Sequence, residues 1–331
     1  MSPTSYLLLY PAEWHQRYNF LHNLQADAYF LLPLYVMNNK HKAGFVSIVG
    51  NPNVGKSTLM NAWVGEKLSI ITPKAQTTRH RILGILNGDD FQVVLSDTPG
   101  VINPNYAMQS NMMDFVKTAL TDADALVYMV EIGETKMKDP VLFTKIQTLT
   151  IPLFVLINKI DQSTQNQLDH AVAHWAKIFP KATIYPISAK TGFGVQEVLD
   201  QLINLLPFSP PYFPKDQLTD KPARFFVNEA VREQILMHYA KEIPYAVEVM
   251  TEAFTEEEKI IRIQAVIMVE RETQKGILIG HKGGALKKVG VGARKKLQRF
   301  FGKKIHLELF VKVNKDWRSN EQQLKRFGYT S

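Results

Sequence analysis

The chain contains no cysteine among its 331 residues. That excludes disulfides and thiolate metal sites and is compatible with a reducing, cytoplasmic setting. Long apolar runs are also missing. Crossing a bilayer takes about 20 apolar residues, and the longest run, "YFLLPLYVM" at 29–37, is short and broken by Pro33. The N-terminus lacks the basic start and small-residue cleavage site of a signal peptide. No internal repeat or low-complexity tract is present. Acidic residues are absent from 275–304, where ten Lys and Arg lie. The remaining composition is that of a globular chain long enough for two cores, with 45% hydrophobic and 21% charged residues. Its net charge of +8 arises wholly after residue 214: residues 1–214 balance 16 basic against 16 acidic, and 215–331 hold 23 against 15. A basic block of this kind around a glycine loop points to a polyanionic partner.

Four segments follow from the patterning. Residues 1–36 are rich in Leu and aromatics without a period, and are interrupted by Pro3, Pro11 and Pro33. They are expected to lie outside the fold, with Met37 as the true first residue. From 42 to 206 the apolar runs "FVSIVG", "FQVVLSD", "ALVYMVE", "PLFVLINK" and "ATIYPISA" alternate with helical stretches such as 109–120 and 194–206. That alternation predicts an α/β domain with a mostly parallel sheet covered on both faces. "PFSPPYFP" opens a stiff linker over 207–222. Residues 223–331 read helix, strand, strand, glycine loop with two helical pieces, strand, a small α+β domain.

"GNPNVGKS" matches G-x-x-x-x-G-K-[ST] after a strand and before a helix. Gly50, Asn51, Pro52, Asn53, Val54 and Gly55 would wrap phosphates with backbone N–H groups at a helix N-terminus. Lys56 can reach the β- and γ-phosphates, and the Ser57 hydroxyl can hold Mg²⁺. In "DTPGV", Asp97 can bind Mg²⁺ through water and the Gly100 N–H can sense a γ-phosphate, with Thr98, Pro99 and Val101 completing the turn. In "NKID", Asp161 can accept from guanine N1 and N2, which adenine cannot offer. Asn158 can support the base from the other edge, the Lys159 stem can cover it, and Ile160 lies between. "SAK", Ser188-Ala189-Lys190, can read guanine O6 through a backbone N–H. Thr77 and Thr78, in "KAQTTRHRILG", are both placed to complete the Mg²⁺ shell, with Thr78 preferred. Each short motif alone is weak. Their order, each at a strand end where open α/β sheets bind ligands, is the stronger signal. Lys56, Thr78 and Gly100 are the expected catalytic groups for hydrolysis of GTP to GDP.

"AQTTRHRI", "SDTPGV", "NKID", "PISAK", "RFFVNEAVREQI" and "IGHKGGALKKVG" together resemble the Era GTPases, over residues 42 to 329. The resemblance implies a GTPase domain followed by a type II KH domain. It also implies binding to the single-stranded 3′ end of small-subunit ribosomal RNA and a part in maturation of the small subunit. A monomer, in part peripheral to the cytoplasmic membrane, is implied as well. In such a domain a G-x-x-G loop clamps about four nucleotides. Gly280 and Gly283 would let the backbone approach, His281 and Lys282 would contact it, and Lys287, Lys288, Arg294 and Lys295 would extend the positive field. Val101 stands where many small GTPases carry a water-orienting glutamine. A low intrinsic rate is therefore expected, and a non-enzymatic RNA-binding protein is the rival reading. Asn53 stands where a K⁺ ion can be held against the phosphates.

Overall fold

Runs of β-branched and large apolar residues such as "VSIV" and "LFVLI" satisfy strands buried on both faces, because no position faces water. In the computed structural model, which describes residues 40–329, they form one six-stranded sheet. The extension 1–36 and the expected start at Met37 lie outside the described residues. Strands β1 (Lys42–Val49), β2 (Ile82–Asn87), β3 (Phe91–Asp97), β4 (Ala125–Glu131), β5 (Leu153–Asn158) and β6 (Thr183–Pro186) lie in the order β2-β3-β1-β4-β5-β6. All neighbours are parallel except β2 and β3. Strand β2 was not among the expected strands. Its apolar positions alternate only in part, and its outer edge is covered locally: Ile85 N–H donates to Leu218 O at 2.8 Å and Leu83 N–H to Asp220 Oδ1 at 3.0 Å. The segment after the prolines thus blunts an edge that would otherwise offer unpaired backbone.

Helices α1 (Lys56–Val64), α2 (Ala107–Asp122), α3 (Pro140–Gln147), α4 (Gln165–Ile178) and α5 (Val195–Leu205) cover the two faces. Leu59, Met60 and Trp63 of α1 and Val198, Leu199 and Leu202 of α5 pack on Val46, Ile48 and Val127. On the opposite face Met112 and Val116 of α2 and Trp175 of α4 meet Leu126, Tyr128 and Val155.

The second sheet has order β7-β8-β9, from β7 (Glu248–Glu256), β8 (Ile260–Val269) and β9 (Lys304–Val313), with β7/β8 antiparallel and β8/β9 parallel. Helices α6 (Ala223–His238), α7 (Glu272–Ile279) and α8 (Gly284–Phe301) complete the expected α-β-β-α-α-β order. Val231 and Ile235 of α6 and Val289 and Ala293 of α8 seal against Val249, Ala265 and Ile267. The chain then turns back. Trp317, Leu324 of α9 (Glu321–Arg326) and Tyr329 are buried in the core on the α2/α4 face of the large sheet. The two sheets are thereby held as one packed body.

Candidate functional site

The first glycine loop joins β1 to α1. A Cβ on Gly50 would stand 2.1 Å from Met129 O, and one on Gly55, at φ +108°, 2.3 Å from Asn158 Nδ2. Both positions therefore exclude side chains. Lys56 opens α1 and is buried. Its Nζ donates to Gly50 O at 3.0 Å and Asn51 O at 2.9 Å, curling under the loop. Burial lowers its pKa to about 8, while Asp97 and Glu134 favour the charge. An anion at the loop would restore the ordinary ammonium.

Three oxygen donors converge beside that helix start. Ser57 Oγ donates to Asp97 Oδ2 at 2.7 Å and lies 2.9 Å from Thr78 Oγ1. Asp97 is fully buried, and its Oδ1 has no hydrogen-bond partner. Burial raises its pKa, with Ser57 and Lys56 opposing. A buried, half-satisfied carboxylate beside two hydroxyls fits a hard divalent cation such as Mg²⁺, which takes few protein oxygens and keeps water and phosphate as its other ligands. Thr77 is turned elsewhere: its Oγ1 donates to Lys74 O at 2.6 Å and meets Thr72 Oγ1 at 2.6 Å. Of the adjacent threonines it is Thr78 that faces Ser57.

"DTPG" closes over the loop. Thr98 Oγ1 donates to Ile48 O at 2.7 Å, and Val101 N–H to Gly50 O at 3.1 Å. Gly100 lies against Pro52, where a Cβ would stand 2.7 Å from Pro52 Cα. Val101 points into the core and is fully buried, with Val54 likewise buried beneath the loop. Asn53, at φ +66°, donates from Nδ2 to Pro73 O at 2.8 Å.

The residues expected to read the base come from the end of β5 and the loop after β6. Asn158 Nδ2 donates to Val54 O at 2.7 Å, and its Oδ1 accepts from Ala189 N–H at 2.9 Å. The buried amide ties the phosphate loop to "SAK" as a strut, and the second N–H of its Nδ2 is left for a further acceptor. Asp161 is exposed, and its Oδ1 accepts from Ser188 Oγ at 2.7 Å. That bond holds its carboxyl below the usual range. Lys159, at φ +65°, pairs with Glu131, and Ile160 N–H donates to Ile187 O at 3.4 Å. Lys190 is exposed beyond them.

Glu134 belongs to this site and was not expected in it. Its Oε1 accepts from Asn51 Nδ2 at 2.5 Å, and Asn51 also binds Lys136 O at 3.0 Å and Lys138 N–H at 3.0 Å. Burial raises the Glu134 pKa to about 7. A lone acid in a loop 83 residues from Asn51 carries no local signal.

In the second domain α7 ends at Gly280, at φ +69°, where a Cβ would stand 2.6 Å from Ala285 Cβ. His281–Gly283 form one 3₁₀ turn, Lys282 at φ +48° and Gly283 at φ +75°. His281, Lys282, Lys287, Lys288, Arg294 and Lys295 are all exposed. Gly283, Leu286, Lys287, Val291, Arg294 and Leu309 border an open groove of about 320 Å³ along α8. It presents cations above an apolar floor, a combination that suits backbone phosphates with unstacked bases.

Fold and geometry define a P-loop GTPase joined to a KH domain. Residues 45–159 match the family described as 50S ribosome-binding GTPase, and 242–318 match the KH domain. GTPase Era of Syntrophus aciditrophicus is 44% identical over 292 residues, covering 87% of this chain and 95% of that protein. GTPase Era of Staphylococcus haemolyticus is 40% identical, covering 88% and 98%. The structure of a single-residue variant of Aquifex aeolicus Era bound to GDP·AlF₄⁻ aligns with TM-score 0.84 at 37% identity, over 88% of this chain and all of that one. A structure of Era with MgGDPNP and nucleotides 1506–1542 of 16S ribosomal RNA gives TM-score 0.84 at 36% identity, over the same shares. The chain belongs to the Era family of GTPases, and is an enzyme that hydrolyses GTP.

Proposed function

We propose that this GTPase binds the single-stranded 3′ end of small-subunit ribosomal RNA through its KH domain and assists maturation of the small subunit. The observation that carries the reading is one chain holding a complete nucleotide site and an open G-x-x-G groove bordered by exposed basic side chains. The Era neighbour solved with 16S nucleotides supports the same RNA, and 16S is the small-subunit RNA, which favours that subunit over the large one. Residence in the cytoplasm as a monomer, with part of the pool peripheral to the membrane, completes the proposal.

At the nucleotide, the loop from Gly50 to Gly55 cradles the phosphates and Lys56 bridges toward the β- and γ-oxygens. Ser57, Thr78 and Asp97 would hold the Mg²⁺ ion, the two hydroxyls and the carboxylate lying together at the start of α1. When bound, the ion draws off charge on the β- and γ-phosphates. The Gly100 N–H meets the γ-phosphate, and Asp161 with the SAK loop reads guanine. Val101 is apolar and buried, so it orients no water. The intrinsic rate is accordingly low. Asn53 spends its Nδ2 on Pro73 O, which leaves the amide oxygen as the atom that can face K⁺. GTP turnover measured with and without the 3′-tail RNA tests the reading. A change in turnover with that RNA, absent with an unrelated strand of equal length, supports it. Identical turnover and no binding of either strand overturns it.

A further inference from the structure

Thr78 lies in the irregular segment 66–81 between α1 and β2, which has no ladder of its own to hold it. The chain is anchored to the KH domain on both sides of it, by its backbone carbonyls before Thr78 and by the Arg79 side chain after it. On the N-terminal side Arg232 of α6 donates from Nη2 to Thr77 O and from Nη1 to Gln76 O at 3.4 Å. Its guanidinium is squared by Glu229, Nε to Oε1 at 2.7 Å and Nη2 to Oε2 at 2.6 Å, and the arginine is 1% exposed. On the C-terminal side Arg79 donates to Val247 O at 2.7 Å and Pro244 O at 2.9 Å, and pairs with Glu248 at 3.3 Å. Tyr329 OH donates to the same Glu248 oxygen at 2.7 Å. The Thr78 hydroxyl, 2.9 Å from Ser57 Oγ, sits between these two anchors.

We propose that Arg232 is a positioning residue for GTP hydrolysis, holding the Thr77 carbonyl so that the neighbouring Thr78 hydroxyl meets the Mg²⁺ position. The inference rests on reading Thr78 as a ligand of that ion. Planarity explains the choice of side chain: Glu229 takes the Nε/Nη2 edge in a bidentate pair and the fixed geometry aims the remaining N–H groups at the backbone. A buried guanidinium is stable only while such partners persist, so the contact is rigid. The grip also joins the two sites. Helix α6 packs closely on α8, where a Cβ on Gly292 would stand 2.0 Å from the Gln234 side chain and Lys296 pairs with Glu233 at 2.6 Å. One helix therefore touches both the threonine segment and the helix bordering the basic groove.

The test uses the full chain with Arg232→Met, and with Glu229→Gln/Arg232→Met, which leaves no unpaired buried charge if the single variant folds poorly. Displacing a ligand by about 1 Å can cost on the order of 100-fold in rate. The expected result is a kcat lower by about 10- to 100-fold and a higher Mg²⁺ concentration for half-maximal turnover. GDP affinity stays within about twofold, because the phosphate loop and the base site are untouched. Arg232→Lys recovers part of the rate. In a Thr78→Ala background the Arg232 substitution adds nothing further. A kcat within about twofold of the parent in a folded variant overturns the proposal, as does equal loss of GDP binding or an additive effect on Thr78→Ala. If Thr78→Ala itself leaves turnover and Mg²⁺ dependence unchanged, the ligand reading falls instead.

Discussion

Nucleotide affinity should fall as pH rises above neutrality, and the structure sets the size. Lys56 in the free protein has a pKa lowered to about 8 by burial. Phosphates beside Nζ return it to the ordinary range, roughly 10 or above. Binding then takes up a proton, and affinity is lost as pH rises through the free-protein value. About nine-tenths of Lys56 is charged at pH 7.0 and about a quarter at pH 8.5, so GDP affinity drops about fourfold between them. Glu134, raised by burial to about 7, acts with the same sign. Its carboxylate forms above that value and repels phosphate, so the nucleotide favours its protonated form. Glu134→Gln removes that share and isolates Lys56. Titration calorimetry in two buffers of different ionisation enthalpy reads the proton count directly. At pH 8.5 the Glu134→Gln variant should take up at least about 0.7 proton per GDP, because loss of the Glu134 charge lowers the Lys56 pKa of the free protein further. Affinity flat from pH 7.0 to 8.5, with no proton uptake, would refute the buried-lysine argument.

Asp161→Asn should weaken GTP by roughly 10- to 100-fold and favour xanthosine triphosphate, because the amide reverses the hydrogen-bonding pattern at the base edge. Unchanged relative affinity for the two nucleotides in competition would remove Asp161 from base reading. Turnover should rise when K⁺ replaces Na⁺ at equal ionic strength, and Asn53→Ala should abolish the difference while GDP binding persists. Equal rates in both salts would end the cation role. Trp317→Ala should lower stability by about 4 kcal/mol, since it empties a fully buried indole site. Trp317→Phe should cost about 1–2 kcal/mol through the lost bond from Nε1 to Ala246 O at 3.2 Å. Urea denaturation checks both, and a loss below about 1 kcal/mol for the alanine variant would mean that the returning segment is not structural.

Much of the clustering around the first glycine loop was legible because its constraints are local. Gly50 and Gly55 announce a backbone that must pass within van der Waals contact of Met129 and Asn158, and the motif spacing carries that constraint in a few residues. The choice between Thr77 and Thr78 was not legible. Adjacent side chains point apart, and only the bonds of Thr77 to Thr72 and Lys74 show which one turns away. The strut that Asn158 forms was not legible either, because its partners at Val54 and Ala189 are 104 and 31 residues distant, beyond what a four-residue motif can specify. The same holds for Arg232 and the Thr77 carbonyl, 155 residues apart, and for Trp317 lodging in the core of the first sheet. Strand β2 escaped because its apolar positions alternate only in part, and the segment that caps its edge, 217–220, is 130 or more residues distant.

The central claim is that one chain couples a GTPase site to a separate single-stranded RNA site. The most direct measurement is fluorescence anisotropy of a labelled strand from the 3′ end of 16S RNA, with the parent chain and with Gly280→Asp/Gly283→Asp, each checked for GTP binding. Carboxylates at the loop repel phosphate, and a Cβ at Gly280 crowds Ala285. The account predicts that RNA binding is lost while GTP affinity is unchanged. It also predicts that the parent's RNA affinity falls with salt, by a logarithmic slope of about 0.7 per phosphate contacted. RNA affinity that survives the two aspartates, or is indifferent to salt, would contradict it.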